Sequence, residues 1–146
     1  MNIIWDLDGT LTDPSPFVHL ISSAPKDWDR WDENIINHEP HWDMVHLFKT
    51  HFLAGHTNFI VTARRENCRN QTEEWLRKYE LEKMHNGLYM RAMTDFRPDF
   101  ETKQDILFEL RRKGYDINLA FEDRVSVAEM FRANGVRCLH VCAGEY

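Results

Sequence analysis

The chain has 146 residues, enough for one domain that buries a core without disulfides. Hydrophobic residues make up 42% and charged residues 29%, and 18 Lys and Arg stand against 24 Asp and Glu for a formal net charge of −6. That balance argues against a protein that coats nucleic acid by charge alone, while leaving room for an enzyme with a local basic groove.

Ile3 and Ile4 open a short buried strand that runs into Trp5-Asp6-Leu7-Asp8-Gly9-Thr10-Leu11-Thr12-Asp13. Side chains two apart on a strand point the same way, so Asp6 and Asp8 are expected to face one pocket. Two carboxylates that close repel unless a cation lies between them, and magnesium suits hard oxygen ligands. Residues 13–39 follow as an irregular insert rich in Trp, Asp, Pro and Asn. A helix is expected over Pro40 to Ala54, with Pro40 in the first turn, Gly55 at the C-terminal cap, and Trp42, Val45, Phe48 and Phe52 at helical spacing. Thr57 to Thr62 reads as the second strand. A charged helix from Glu66 to Tyr79 follows, its apolar positions limited to Trp75, Leu76 and Tyr79. Gly87 to Arg91 reads as the third strand, and Phe100 to Lys113 as a helix with Ile106, Leu107 and Leu110 inward and Gly114 at its end. The fourth strand is Asn118 to Phe121, the last helix Ser126 to Ala133, and the fifth strand Val136 to Val141.

Strands alternating with helices predict an α/β fold: a doubly wound, Rossmann-like parallel sheet of about five strands with helices on both faces. In such sheets the site lies beyond the carboxyl ends of the strands. The candidates obey that rule. Asp6 and Asp8 follow the first strand, Thr62 ends the second with Ala63-Arg64 behind it, Lys103 follows the third, and Glu122 and Asp123 follow the fourth. Taken alone, Thr62 reads equally as a helix cap, Lys103 as a solvated helix residue, and Glu122 and Asp123 as helix-entry acids. The ordered set is what carries the argument.

These four positions, led by Asp6-Leu7-Asp8-Gly9-Thr10-Leu11-Thr12, resemble the four motifs of the haloacid dehalogenase phosphatase superfamily. The resemblance covers almost the whole chain and implies a single domain over 1–146, with 13–39 as only a short cap-like insert. It implies a phosphomonoesterase in which Asp6 is the nucleophile of an aspartyl-phosphate intermediate and Asp8 the general acid and base. A Mg²⁺ cofactor would be held by Asp6, by the Asp8 backbone carbonyl and by Glu122 and Asp123, with Asp123 the direct ligand of that last pair. Lys103 and the Thr62 hydroxyl would meet the phosphoryl oxygens, and the backbone from Leu7 to Gly9, with Thr10, would cradle the same group.

A finer resemblance runs through Met90-Arg91, Asp95-Phe96-Arg97-Pro98-Asp99, Phe121-Glu122-Asp123-Arg124 and the tail His140 to Tyr146. These segments are similar to the 3′-phosphatase family found in bacteriophage polynucleotide kinase. That family acts on 3′-phosphates of DNA, RNA and nucleotides. The resemblance implies a nucleotide or nucleic-acid end as substrate, Arg64, Arg97 and Asp99 as substrate-binding or site-organising residues, and a phage or bacterial source. Two departures stand out. The chain has no Gly-x-x-x-x-Gly-Lys-Ser/Thr phosphate loop, so no kinase activity is expected, and its fourth motif is Glu-Asp where that family has Asp-Asp.

Other features are weighed beside these. Arg64, Arg65, Arg69, Arg91 and Arg97 follow strand ends and form either a basic rim for phosphate or a set of solvated side chains. Trp28 and Trp31 are expected to pack a short cap rather than stack on a base. His38 and His41 lack partners for a zinc site, and Cys138, His140 and Cys142 share a parity that suits a strand face. The odd cysteine count without framework spacing points to a reducing, cytoplasmic compartment. No apolar stretch is long enough for a membrane, no signal-peptide pattern precedes the first strand, and nothing marks a protein partner. The competing functions are a phosphatase for deoxynucleoside 5′-monophosphates or small metabolites, and a non-enzymatic receiver-like switch that accepts a phosphoryl group. In a receiver the acceptor Asp follows a middle strand of the chain rather than the first, and Asp8 would hydrolyse the acyl phosphate such a switch must keep.

Overall fold

Ile3, Ile4 and Trp5 are fully shielded from solvent because their strand, β1 (Asn2–Trp5), lies at the centre of a parallel sheet. The structure is a computed structural model that describes residues 1–142; the tail residues 143–146 lie outside the described residues. The sheet runs in the order β5-β4-β1-β6-β7, with β4 at Thr57–Arg65, β5 at Leu88–Arg91, β6 at Ile117–Glu122 and β7 at Arg137–His140. Ile4 pairs with Phe59 on one side and Ala120 on the other. A strand flanked and covered in this way has no wet face, which accounts for its unbroken apolar run.

Alternate residues of β1 feed two separate cores. Ile3 and Trp5 join a cluster with Val45 and Phe48 of α2 (Trp42–Leu53) and Trp75 and Leu76 of α3 (Arg69–Lys78). Ile4 joins the other, with Leu107 and Leu110 of α4 (Asp99–Arg112) and Val127 and Phe131 of α5 (Val125–Ala133). Helices therefore cover both faces, as the alternating pattern requires. From β1 the chain lays β4 and β5 to one side, then returns to lay β6 and β7 on the other. The winding reverses at the carboxyl end of β1, where a doubly wound sheet opens its crevice.

The insert carries more structure than its composition announces. Its ends are zipped by a two-stranded antiparallel ribbon, β2 (Thr12–Asp13) with β3 (Glu39–Pro40). Between them lie a 3₁₀ turn at Ser15–Leu20, the helix α1 (Trp28–Asn34) and a second 3₁₀ turn at Ile35–Asn37. Pro40 thus belongs to a ribbon rather than to the first turn of α2. Proline is tolerated there because a two-stranded ribbon has only edges, and the His41 N–H donates to Leu11 O at 2.9 Å to tie the ribbon to the turn after β1. Trp42, expected among the helical apolar positions, is 51% exposed; as the first residue of α2 it meets the core only at its rim, edge-on to Tyr79.

Two strands run further than their apolar patterns. β4 continues to Arg65, which pairs with Arg91, and β6 takes in Glu122. Site residues therefore sit on the last rungs of the sheet rather than in the loops beyond it, which gives them the sheet's rigidity. Among the described residues, no helix is long and apolar enough to cross a membrane.

Candidate active site

The turn after β1 depends on Gly9, whose φ of +88° lies in the left-handed region that favours glycine. Its N–H donates to Thr12 O at 2.8 Å, and the N–H groups of Thr10, Leu11 and Thr12 all converge on Leu7 O. This tight loop turns the chain back while leaving Asp6 and Asp8 at the mouth of the crevice. Both line a pocket of about 470 Å³ together with Thr62, Arg64, Lys103 and the Glu122-Asp123 pair.

Lys103 stands on the second turn of α4 and is 2% exposed. Its Nζ donates to Asp6 Oδ1 at 2.6 Å and to Glu122 Oε2 at 2.7 Å. Burial alone would lower its pKa, but the two carboxylates overcome that and raise it, so the lysine is a fixed cation. It does not balance the acids around it. One ligand atom from each of Asp6, Glu122 and Asp123 lies within 4.8 Å of the others. Burial first, then the charge of Glu122, pushes the Asp6 carboxyl above its ordinary range against the pull of Lys103. Burial and the charges of Asp6 and Glu122 do the same to Asp123.

Two oxygens in this cluster, Asp6 Oδ2 and Asp123 Oδ2, are buried without a hydrogen-bond partner. Orphaned carboxylate oxygens that face one another are costly unless a cation joins them. The donor set of hard oxygens at this spacing fits a magnesium ion. Glu122 contributes differently. Its Oε1 accepts from the Arg124 N–H at 3.1 Å while Oε2 holds Lys103, so both oxygens already have partners.

Asp8 is held by other partners. Arg64 Nε donates to Asp8 Oδ2 at 2.8 Å and Arg64 NH2 to Oδ1 at 2.6 Å. His38 Nδ1 lies 3.4 Å from Asp8 Oδ1 and 3.4 Å from Arg64 NH2. Burial would raise the Asp8 carboxyl, but Arg64 and His38 hold it well below the usual carboxylate range. Asp6 and Asp8 thus differ in opposite directions, the pattern expected of paired acids with separate tasks. Thr62 Oγ1 accepts from the Arg64 N–H at 3.2 Å, which leaves the hydroxyl proton free to donate into the pocket.

The structure places the remaining sequence candidates less simply. Gly9 and Thr10 do not line the pocket, and their N–H groups are bonded within the turn. Arg64 lines the pocket but is committed to Asp8. Arg97 is paired with Asp95 and Asp105, and Asp99 holds both Arg91 and Arg124. These three organise the site's walls. Trp31 is buried edge-on to His38 and Trp28 is partly exposed; both line the pocket. Among the described residues, the one group of three or more potential metal ligands is Asp6 with Glu122 and Asp123.

Three further residues organise the site. His38, whose sequence context suggests only a zinc ligand, lies beside Asp8 and stacks on Phe17. Arg91, one of five arginines expected at a basic rim, instead ties Ala63 O, Asp95 O and Arg97 O together and reaches Asp99. His140 Nε2 bonds the Asp123 carbonyl from the end of β7. Each was visible as a polar residue near a strand end, but no spacing rule gives the partner.

Comparison with known proteins follows the same lines. The family model described as the polynucleotide kinase PNKP phosphatase domain matches residues 1–146. Among solved structures, the chain is 24% identical to a protein of the Pnkp1/Rnl/Hen1 complex, with a TM-score of 0.80 over 99% of this chain and 47% of that one. It therefore spans about half the length of that relative. A hydrolase from Streptococcus pneumoniae TIGR4 is 19% identical, with a TM-score of 0.65 over 95% of this chain and 91% of that one. A class C acid phosphatase from Bacillus anthracis, solved with tungstate bound, is 21% identical, with a TM-score of 0.69 over 86% and 52%. At these identities the structural likeness speaks for the fold.

Proposed function

Since this chain belongs to the polynucleotide kinase PNKP phosphatase-domain family, and is thereby a phosphatase of the haloacid dehalogenase type, we propose that it is a magnesium-dependent phosphomonoesterase that removes 3′-phosphates from nucleic-acid ends or nucleotides through an aspartyl-phosphate at Asp6. The observation that carries the reading is the buried triad of Asp6, Glu122 and Asp123, with Lys103 bonded to two of its members and two carboxylate oxygens left without partners.

The residues divide the work. A carboxylate oxygen of Asp6 attacks phosphorus, and the bond from phosphorus to the ester oxygen breaks. Asp8 gives that leaving oxygen a proton, then takes one from the water that attacks the acyl phosphate and frees Asp6. Lys103 and the Thr62 hydroxyl meet the equatorial phosphoryl oxygens. Asp6, Asp123 and the Asp8 carbonyl would hold the metal, with Glu122 reaching it through water, and the metal would supply positive charge to the phosphoryl group when bound. The Arg64 pair keeps Asp8 ionised at rest. Asp8 in that state suits the second step, as a base; for the first step the pair has to open so that Asp8 can carry a proton.

The 3′-nucleotide end as substrate is supported by the family match and by Lys26 and Arg65, which line the pocket outside any ion pair among the described residues. The relative in the Pnkp1/Rnl/Hen1 complex belongs to an assembly that a second solved structure names an RNA repair complex, which is in keeping with such a substrate. A panel with magnesium tests it: 3′- and 5′-phosphorylated oligonucleotides, nucleoside 3′- and 5′-monophosphates, and sugar phosphates. Release of phosphate from the 3′ substrates first supports the reading. Turnover confined to sugar phosphates, or to 5′-monophosphates, replaces it.

A further inference from the structure

We propose that Trp28 and Phe96 form a base-binding subsite at the mouth of the pocket, so that the scissile phosphate enters on a nucleotide whose base lies against these rings. This rests on the nucleotide reading above and names the residues of this chain that select for it.

Phe96 is 82% exposed, more than any other large hydrophobic side chain among the described residues, and it lines the pocket. Its loop, between β5 and α4, is firmly held. Arg91 NH1 donates to Asp95 O at 3.3 Å and to Arg97 O at 2.7 Å, fixing the backbone on both sides of the phenylalanine. The Asp95 carboxylate is tied in turn by Arg97 and by Thr102 Oγ1. Among the described residues no ring lies against Phe96. A rigid loop that displays an unpartnered aromatic ring into a polar pocket contributes nothing to the core, and it is pre-organised to receive a flat apolar surface.

Trp28 comes from a different element, as the first residue of α1. Asp27 caps that helix by accepting from the Arg30 N–H at 3.1 Å. One turn on, Trp31 is buried edge-on to His38 and also lines the pocket, while Trp28 is the more exposed of the two rings. Lys26 Nζ and Arg65 Cζ each lie 5.5 Å from the Trp28 ring centre, and both residues line the pocket. Neither has a carboxylate within ion-pair distance among the described residues. An aromatic face with two cations outside any ion pair matches a base joined to a phosphodiester, through stacking and charge together. A sugar phosphate has no flat face to offer it. The pocket's 470 Å³ lies within the usual range for a small-molecule site.

The test compares thymidine 3′-phosphate with glycerol 2-phosphate, in magnesium, for the wild type and for Trp28→Ala, Phe96→Ala, Phe96→Leu and Phe96→Tyr. Stacking on an aromatic side chain is worth about 1–3 kcal/mol per base, so KM for the nucleotide should rise about 5- to 150-fold on loss of a ring. The loss should fall on KM rather than kcat, Phe96→Leu should lose as Phe96→Ala does, and Phe96→Tyr should restore binding. A second readout is free of turnover: a 3′-phosphorylated oligonucleotide ending in 2-aminopurine should be quenched on binding to Asp6→Asn and less so when Phe96 or Trp28 is also replaced. A wild type that prefers the nucleotide and keeps that preference in all variants overturns the subsite alone. A wild type that treats both substrates alike overturns the nucleotide reading with it.

Discussion

Arg64 grips Asp8 at two points, Nε to Oδ2 at 2.8 Å and NH2 to Oδ1 at 2.6 Å, across 56 residues of sequence. A forked contact of this kind fixes orientation as well as charge. It aims the carboxylate that the mechanism assigns to proton transfer, and it holds that carboxylate ionised. Asp8→Asn should lower kcat about 10²- to 10⁴-fold, the range for losing a positioned acid–base group. Arg64→Lys keeps the charge and loses the fork, so it should lower kcat while shifting the acid limb of the kcat pH profile upward. An unmoved profile in Arg64→Lys would show that the pair does not set the protonation of Asp8.

Asp6→Asn should abolish turnover and leave the fold intact, because the amide oxygen can still accept from Lys103. Phosphate release by stopped assay and the far-ultraviolet circular dichroism spectrum report the two halves. Trapping the reaction by acid quench should recover phosphate on the peptide that contains Asp6 in the wild type and not in the variant. Full activity in the variant would remove Asp6 from the mechanism.

Metal and pH should act on stability together. Without metal, the Asp6 and Asp123 carboxyls titrate above their ordinary value of 3.8. The folded state then binds protons that the unfolded chain has released, so this contribution is fully present below about pH 4 and is lost as pH rises through the folded values. Asp8 has the opposite sign; its depressed value contributes stability above about pH 4 that is lost only as pH falls further. Between pH 5 and pH 9 the metal-free Tm should therefore fall. Magnesium, which favours the ionised acids, should raise Tm by an amount that grows with pH. A magnesium increment that does not change with pH would count against Asp6 and Asp123 as ligands, and Asp123→Asn should reduce it.

Lys103 makes the site a structural element as well. Lys103→Met removes the cation from between Asp6 and Glu122 and leaves two buried acids facing each other. Breaking a buried pair from one side costs about 3–5 kcal/mol. Urea unfolding at pH 7 should show a loss of that order, and part of it should return at pH 5, where the acids can take up protons. An equal loss at both pH values would assign the effect to packing.

The thiols give an independent check on the core. Burial pushes Cys68 up to about 11 and Cys138, with the nearby Glu122 charge, up to about 12. Cys142 is exposed. At pH 8, iodoacetamide should label Cys142 well before the other two, which should react only after unfolding. Peptide mass mapping over time reads the order, and early labelling of Cys138 would contradict its place in the core behind β6.

Much of the fold could be read from residues in a line. Ile3 and Ile4 before Asp6 mark a buried strand, Gly55, Gly114 and Gly135 stand at positive φ just after helices, and Leu107 and Leu110 keep the helical spacing that turns them inward. These are local rules, enforced by backbone sterics and by the period of each element. They failed where a distant partner decided the outcome. Pro40 has helix-starting chemistry, but pairing with Thr12 places it in a ribbon. Trp42 has the spacing of a core residue, but it sits at the rim of its helix's buried face and meets Tyr79 edge-on, while Met44 and Val45 of the same turn enter the core.

The alternation of strands and helices, the chain order of the acids, Thr62 and Lys103, and the turn at Gly9 are legible along the chain, because each depends on neighbours within a few residues. Which charges pair is settled by packing. Arg64 was available for a phosphate on paper and belongs to Asp8 in space; Arg97 and Asp99 are held by Asp95, Asp105, Arg91 and Arg124. Charges interact through distance and burial, and both are set when β4 and β6 flank β1, β5 pairs with β4 and α4 packs on β4 and β6. The same packing leaves Phe96 and Trp28 at the mouth of the pocket, which no periodicity in either segment announces.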